Sequence, residues 1–408
     1  MHLLPRIFSG MYNLEEQINN FLYIGREKWQ GILRRISAVN VTAGLVLLVI
    51  RFGFLPDEAA WQNIQKGYNI LFLAFAGIYL ARLVLKIERL AFLRKTWFEG
   101  LLNLLIVLHA LIIYFSDGFN PLLLLIGSMN FTHPLLVFDH FVSIYLSVLL
   151  GLELTKLSTR ISELSLDPAA TFIYSFILLI ALGTGLLMLP AMTVGTESMN
   201  FIEALFTAVS ASCVTGLSVV DTGTWFTFKG QLVIMLLFQV GGIGIVSFAT
   251  FFATFLSRGV SIKQQSIIQD HLSSDSLVSA KDLLKKVVLI TLSIELIGFL
   301  AIFFSWGDLR FESIGQRLFY SLFHAISAFC NAGFSLFPDG LHTNDISEGT
   351  AVFARGTDVN IRHRYLLHLI IALLIILGGV GFNTIEDVLN AIKKRQGLRI
   401  SAGDLRLG

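Results

Sequence analysis

The chain has 408 residues, of which 55% are hydrophobic and 14% are charged, and its formal net charge is +2. A soluble domain carries about 25% charged residues, so this composition argues against a water-soluble fold. The nearly balanced charge gives no indication of a nucleic-acid partner. Two cysteines are too few for a disulfide framework or a structural metal site. The composition therefore predicts a protein of the lipid bilayer.

Apolar runs follow one another along the chain, and crossing a bilayer as a helix takes about 20 such residues. The predicted spans lie at 36–55, 67–85, 98–116, 134–153, 171–190, 231–256, 287–306 and 365–385. This pattern predicts an all-α polytopic membrane protein. The first four spans form an N-terminal membrane region over residues 1–165.

Basic residues are concentrated in every second connection. They precede the first span at Arg34 and Arg35, lie between the sixth and seventh spans at 258–286, and follow the eighth span after residue 392. Because Lys and Arg accumulate on the cytoplasmic side, we expect a multi-pass protein with both termini of this chain in the cytoplasm. The connection 307–364 also carries arginines, but the rule is weaker for long loops.

The C-terminal part of the chain contains an internal repeat. Leu205–Ser218 reads LFTAVSASCVTGLS and Leu322–Ser335 reads LFHAISAFCNAGFS, with eight of 14 positions identical at an offset of 117. The glycine motif at 241–244 (GGIG) recurs at 378–381 (GGVG) with an offset of 137. This agreement indicates a duplicated structural unit.

Each copy consists of a span, a short helix, a glycine-containing turn and a second span. The short helices, at about 201–213 and 317–330, cannot cross a bilayer at about 1.5 Å per residue, and they carry polar side chains. We therefore expect re-entrant pore helices, enclosed by protein, in a first pore repeat at 166–260 and a second at 280–392. Parallel repeats of this kind form selectivity filters, whereas many secondary transporters have inverted repeats.

The sequences FIEALFTAVSASCVTGLSVVDTG and FQVGGIGIVSF resemble the first pore domain of the Trk/Ktr/HKT superfamily of potassium transporters. The sequences SLFHAISAFCNAGFSLFPDGL and LGGVGFNTIEDVL resemble the second domain, so the resemblance covers about 168–392. It implies potassium uptake across the membrane, through a filter of backbone carbonyls. It implies no cofactor, with K⁺ as the transported ion.

The resemblance assigns one filter strand to each repeat. The first strand would comprise Val214, Thr215, Gly216 and Leu217, and the second Cys330, Asn331, Ala332, Gly333 and Phe334. Asp221 and Asp339 follow the two strands at similar distances. They fit either an acidic ring that attracts cations to the mouth or ordinary aspartates that cap turns.

Members of this superfamily carry four pore domains, and the third and fourth have no counterpart before Gly408. We expect either that the basic segment 393–408 continues into further repeats or that two copies assemble. The resemblance also implies a cytoplasmic ring of nucleotide-binding regulatory subunits, docked on the basic segments 258–286 and 392–406. It further implies a homodimer and a location in the cell membrane of a bacterium.

Two other functions fit parts of the pattern. An ion-coupled transporter of another solute would need several polar side chains at the midplane, where Glu295 is the only charge, so the pattern favours a potassium pore. A sodium-permeable member of the same superfamily is a further alternative. Glu295 itself fits either an interhelical hydrogen bond or a role in the ion path. No nucleophile–base pair indicates an enzyme.

Two features of the repeat carry structural predictions. Cys213 and Cys330 occupy equivalent positions, so we expect them behind the filter rather than in a disulfide. The GGIG and GGVG motifs lie within spans and lack the strand–turn–helix context of a nucleotide-binding loop. They predict close helix packing or a bend below the filter.

The orientation can be tested with single cysteines at Ser274 and Ser347 in a background without native cysteines. We expect an impermeant thiol reagent, added to intact cells, to label position 347 and not position 274, because the basic connections lie inside. The cysteine-free parent is the control for background labelling. Labelling of position 274 with protection of position 347 would contradict the orientation.

Overall fold

The structure is a computed structural model, and it describes residues 4–54, 58–86, 89–115, 134–158, 168–195, 198–257, 275–307, 313–338, 340–342 and 364–382, with a few single residues around them. Three predictions fall outside the described residues: Asp339, most of the basic connection 258–286, and the basic segment 393–408.

The described residues form helices, with no β-strand among them. The α-helices are α1 (Leu4–Gly53), α2 (Glu58–Val84), α3 (Arg89–Lys95), α4 (Trp97–Phe115), α5 (Pro134–Ser158), α6 (Pro168–Leu187), α7 (Phe201–Ser212), α8 (Thr222–Trp225), α9 (Phe228–Ser257), α10 (Asp275–Ser305), α11 (Ile314–Phe329) and α12 (Tyr365–Val380). The chain divides into two compact units, residues 1–165 and 166–408.

Five of the predicted spans coincide with helices that are long and apolar enough to cross a membrane. These stretches are Lys28–Gly53, Ala60–Val84, Ala170–Leu187, Phe228–Phe248 and Lys285–Ser305. The other three predicted spans coincide with α4, α5 and α12, whose described side chains give shorter apolar stretches. The prediction of an all-α polytopic membrane protein is confirmed.

The first unit contains four long helices, α1, α2, α4 and α5, with the short α3 between α2 and α4. Helix α1 packs on α2 and α5, and α2 packs on α4. Leu146, Leu149 and Leu150 of α5 are buried in the core. Gly44 of α1 faces Leu150, and a Cβ built there would lie 2.8 Å from Leu150 Cδ2. The missing side chain lets α1 approach α5 closely.

A buried ion pair joins three helices of the first unit. Arg82 of α2 donates through both terminal nitrogens to Glu153 of α5, at 2.6 and 3.0 Å, and Ser37 of α1 donates to the same carboxylate at 2.6 Å. The side chains of Arg82 and Glu153 are only 18% and 6% exposed. Charges this deeply buried are stable only as hydrogen-bonded pairs, so this contact ties α1, α2 and α5 together.

The second unit consists of two similar triplets of helices, α6–α7–α9 and α10–α11–α12. The short α7 packs against both α6 and α9, and the short α11 packs against both α10 and α12. Helices of 12 and 16 residues are about 18 and 24 Å long, which is less than the thickness of a bilayer core. This arrangement agrees with the repeat predicted from the sequence.

Side-chain caps set where the two short helices begin. The Asn200 side chain accepts from the N–H of Glu203 at 3.0 Å, so α7 begins at Phe201 as predicted. The Ser313 hydroxyl accepts from the N–H of Gln316 at 3.2 Å. Because this cap lies upstream of the predicted start, α11 begins three residues earlier than expected, at Ile314.

Replacing Glu153 by Gln should destabilise the first unit. Removing one partner of a buried ion pair leaves an uncompensated charge, at a cost of about 3–5 kcal/mol, and we expect about 2 kcal/mol here because Arg82 keeps Glu99 at 4.0 Å. The measurement is the thermal unfolding midpoint of the purified chain in detergent. The double variant Arg82→Met with Glu153→Leu should lose less stability, and an unchanged midpoint for Glu153→Gln would contradict the assignment.

Candidate functional site

Each short helix of the second unit ends in a turn with the same unusual backbone. After α7, Val214 and Gly216 have φ angles of +58° and +77°, and after α11, Asn331 and Gly333 have φ angles of +58° and +73°. Positive φ is uncommon for any residue other than glycine. Two such pairs at an offset of 117 mean that the sequence repeat is also a repeat of backbone conformation.

The same backbone hydrogen bond closes both turns. The N–H of Thr215 donates to the carbonyl of Ser210 at 2.9 Å, and the N–H of Ala332 donates to the carbonyl of Ser327 at 2.8 Å. These carbonyls lie in the last turn of each short helix, where they have no partner within the helix. Each turn is therefore held on the end of its own short helix.

The two turns lie side by side. A Cβ built on Gly216 would lie 2.9 Å from the carbonyl oxygen of Ala332 and 3.0 Å from Cα of Gly333, and one built on Gly333 would lie 2.9 Å from Cα of Gly216. Such a close approach leaves no room for side chains at either position. The structure thus brings together the two segments that the sequence assigned to filter strands.

The hydroxyls of Ser210 and Ser327 support the two turns in different ways. Thr215 donates through its hydroxyl to Ser210 Oγ at 3.0 Å. Ser327 instead donates to the carbonyl oxygen of Phe334 at 2.7 Å. The sequence analysis did not single out these serines, although they form one of the identical pairs in the repeat, and that identity was the signal available.

The outer ends of the two turns differ in burial. Leu217 is 62% exposed, whereas its counterpart Phe334 is 4% exposed and stacks on Phe238 with ring centroids 6.0 Å apart. Asp221 caps α8, because its Oδ1 accepts from both the N–H and the hydroxyl of Thr224 at 2.8 Å. This contact matches the capping role considered for Asp221.

His324 of α11 holds the outer end of the second turn. One ring nitrogen lies 2.7 Å from the carbonyl oxygen of Tyr320, and the other lies 3.2 Å from Ser335 Oγ and 3.4 Å from the N–H nitrogen of Leu336. The ring also stacks on Phe337, with centroids 4.8 Å apart. The equivalent residue of the first repeat is a threonine, so this support belongs to the second turn alone.

The glycine motifs allow close helix packing. A Cβ on Gly241 of α9 would overlap the carbonyl oxygen of Ser212, the last residue of α7, and a Cβ on Gly378 of α12 would overlap the carbonyl oxygen of Phe329, the last residue of α11. Helix α9 runs through residues 241–244 without a break. Of the two roles predicted for the first motif, the structure therefore supports packing rather than a bend.

A polar cluster lies behind the second turn. Gln239 of α9 donates to Glu295 of α10 at 2.8 Å, and the Cys330 thiol lies 3.6 Å from Gln239 Oε1 and 3.8 Å from Glu295 Oε1. Glu295 is 3% exposed. The carboxylate makes the interhelical hydrogen bond that was one of its two predicted roles, and through Cys330 it contacts the start of the second turn. Both cysteines of the chain are free thiols.

A cavity of about 250 Å³ lies beside the two turns. Cys213, Val214 and Cys330 contribute to one wall, and residues of α9, α10 and α12, including Gly242 and Gly378, contribute to the others. The cavity is large enough for several water molecules.

The sequence of the chain is similar to those of known proteins. Residues 137–402, more than half of the chain, match the TrkH family, described as cation transport proteins. The chain belongs to this family. It spans less than half the length of the curated relatives that it matches.

Three relatives illustrate the similarity. The chain is 41% identical to the Ktr system potassium uptake protein B of Bacillus subtilis, over 54% of this chain and 45% of the relative. It is 36% identical to the protein of the same name from Vibrio alginolyticus, over 50% and 40%. It is 31% identical to the potassium/sodium uptake protein NtpJ of Enterococcus hirae, over 55% and 46%.

Comparing Gly378→Ala with Gly379→Ala separates the loss of close packing at Gly378 from the change in helix propensity that both substitutions cause. Gly378→Ala should destabilise the chain by about 1–3 kcal/mol, because overpacking forces the backbone of α11 to move. Gly379→Ala is the matched control, since a Cβ there would have Asn331 Nδ2 as its nearest neighbour, at 4.0 Å. Thermal unfolding of both purified variants measures the difference, and equal midpoints would contradict the close approach.

Proposed function

We propose that this chain takes part in potassium uptake across a cell membrane and that the paired turns at 214–217 and 330–334 contribute strands to the filter. The observation that carries the proposal is the repeated backbone: two glycine-containing turns of the same conformation meet at the ends of two short helices. Membership of a cation transport family supports the same conclusion.

The physical chemistry of the site suits a dehydrated cation. A potassium ion leaves water only where several oxygens replace its hydration shell, and backbone carbonyls supply such oxygens in selectivity filters. The C-terminal end of a helix carries about half a negative charge, and α7 and α11 both end at the turns. Both helices would therefore lower the energy of a cation held there.

The names of the relatives favour potassium and keep sodium as a second candidate. Two of the three relatives above are named potassium uptake proteins, and the third is named a potassium/sodium uptake protein. We therefore propose K⁺ as the principal ion and Na⁺ as the competitor against which selectivity should be measured.

We also propose the assembly and location expected from the sequence. Two relatives carry names that assign them to a Ktr system, and we infer a cytoplasmic nucleotide-binding regulatory subunit for this chain, together with a homodimer. By the positive-inside rule, we expect the basic connections and both ends of this chain on the cytoplasmic side, where such a subunit would dock.

Gly216→Ser and Gly333→Ser test the filter assignment. Each serine would force a side chain into a positive-φ position and against the neighbouring turn. We expect potassium uptake to fall more than sodium uptake, because the larger ion is held by several weak oxygens at once and loses more from one misdirected carbonyl. The measurement is the potassium-to-sodium permeability ratio of the active transporter at matched expression.

Gly195→Ser provides the matched control for backbone strain. Gly195 has a φ angle of +102° and no neighbour within 4 Å of a built Cβ, so serine there introduces backbone strain without touching either turn. Its permeability ratio should equal that of the wild type. If both filter variants also keep the wild-type ratio, the glycines do not line the ion path and the assignment is wrong.

A further inference from the structure

A cavity of about 570 Å³ lies within the first unit. Its walls come from residues 30–38 of α1, the end of α2, the short α3 and one residue of α5. A volume of this size is typical of sites that hold a small organic molecule. The proposed transport function gives this cavity no role.

The cavity lies beside the predicted ends of two membrane spans. Arg34 and Arg35 immediately precede the predicted span 36–55 of α1, and Lys86 follows the end of the apolar stretch Ala60–Val84 of α2. The two helices run in opposite directions. Ser37 of α1 and Arg82 of α2 meet at Glu153, whereas a Cβ on Gly67, earlier in α2, would lie 2.7 Å from Leu47, later in α1. The two spans therefore end together beside the cavity, where we expect lipid headgroups.

Positive charge dominates the polar part of the wall. Four cationic side chains line the cavity, Arg34, Arg35, Arg82 and Lys86, and Glu153 is the single carboxylate lining it among the described residues. Arg82 is held by Glu153 at 2.6 Å, while Arg34 donates through Nε to the carbonyl of Gln30 in its own helix at 3.0 Å. The excess of cations over carboxylates favours an anionic occupant.

The remaining wall is apolar. Leu33, Ala38, Leu85 and Phe92 line the cavity beside the cations. A free phosphate or a nucleotide would leave this apolar surface uncovered, whereas a phospholipid carries a charged headgroup and a hydrocarbon chain in the same molecule. Basic pockets between transmembrane helices on the cytoplasmic side are suited to anionic headgroups, and the basic residues predict that this end faces the cytoplasm.

We propose that the cavity bounded by Arg34, Arg35 and Lys86 binds the phosphate headgroup of an anionic phospholipid, with the start of an acyl chain against Leu85 and Phe92. The Glu153 ion pair holds Arg82 in place and ties together the helices that form the walls. The site concerns the first unit alone, so it does not rest on the filter assignment.

The test is the binding of short-chain lipids to the purified whole chain in neutral detergent. Dioctanoyl phosphatidylglycerol should raise the thermal unfolding midpoint in a saturable way, while dioctanoyl phosphatidylcholine, inorganic phosphate and ATP should not. The double variant Arg35→Gln with Lys86→Gln should bind phosphatidylglycerol about 25-fold more weakly, since each basic side chain near an anionic headgroup contributes about fivefold. Arg34→Gln provides a second variant if the double variant does not fold.

Arg94→Gln with Lys95→Gln is the matched control, because it removes the same charge from exposed positions of α3 that do not line the cavity. Wild-type affinity in this control supports the site. An equal loss in both double variants would mean general attraction of anions to a basic surface, and equal stabilisation by phosphate or ATP would identify a soluble anion. Either result, or the absence of phosphatidylglycerol binding, would overturn the proposal.

Discussion

A backbone carbonyl at the end of each short helix lies directly against a glycine of α9 or α12. Lipid offers no hydrogen bonds, so irregular backbone at membrane depth must be enclosed by protein. The glycines at 241 and 378 meet this constraint, because only a residue without a Cβ lets α9 or α12 pack directly on the end of the short helix. The position of each turn, and the close approach of the two turns, depend on that contact.

The two repeats share a backbone, but their surroundings are not equivalent. Glu295, Gln239 and Cys330 form a polar cluster behind the second turn. By the offsets of the repeat, Leu178 corresponds to Glu295 and Ile376 corresponds to Gln239, and these two are 60% and 58% exposed. Among the described residues, the second turn is therefore backed by a polar cluster that has no counterpart behind the first turn.

The sequence predicted the architecture well because apolar length and an internal repeat directly reflect the helices that the chain forms. Apolar length identified the spans, the repeat of Leu205–Ser218 identified the short helices, and the family resemblance assigned residues to both turns. What it could not predict depends on contacts between distant segments: the start of α11 at the Ser313 cap, the support of Phe334 by Ser327, and the ion pair of Arg82 with Glu153. The periodicity and composition of a sequence do not indicate which distant side chains will contact each other.

Val214 and Asn331 adopt the same left-handed backbone conformation, but its cost in conformational free energy is much higher for valine than for asparagine. Asparagine enters this region readily, whereas a β-branched residue does so only under strain of about 1–3 kcal/mol. The first turn therefore carries a conformational penalty that the second avoids, although glycine would remove it. The Val214 side chain lines the cavity beside the turns. At this one position, folding stability favours glycine, whereas valine retains a side chain that occupies part of the cavity.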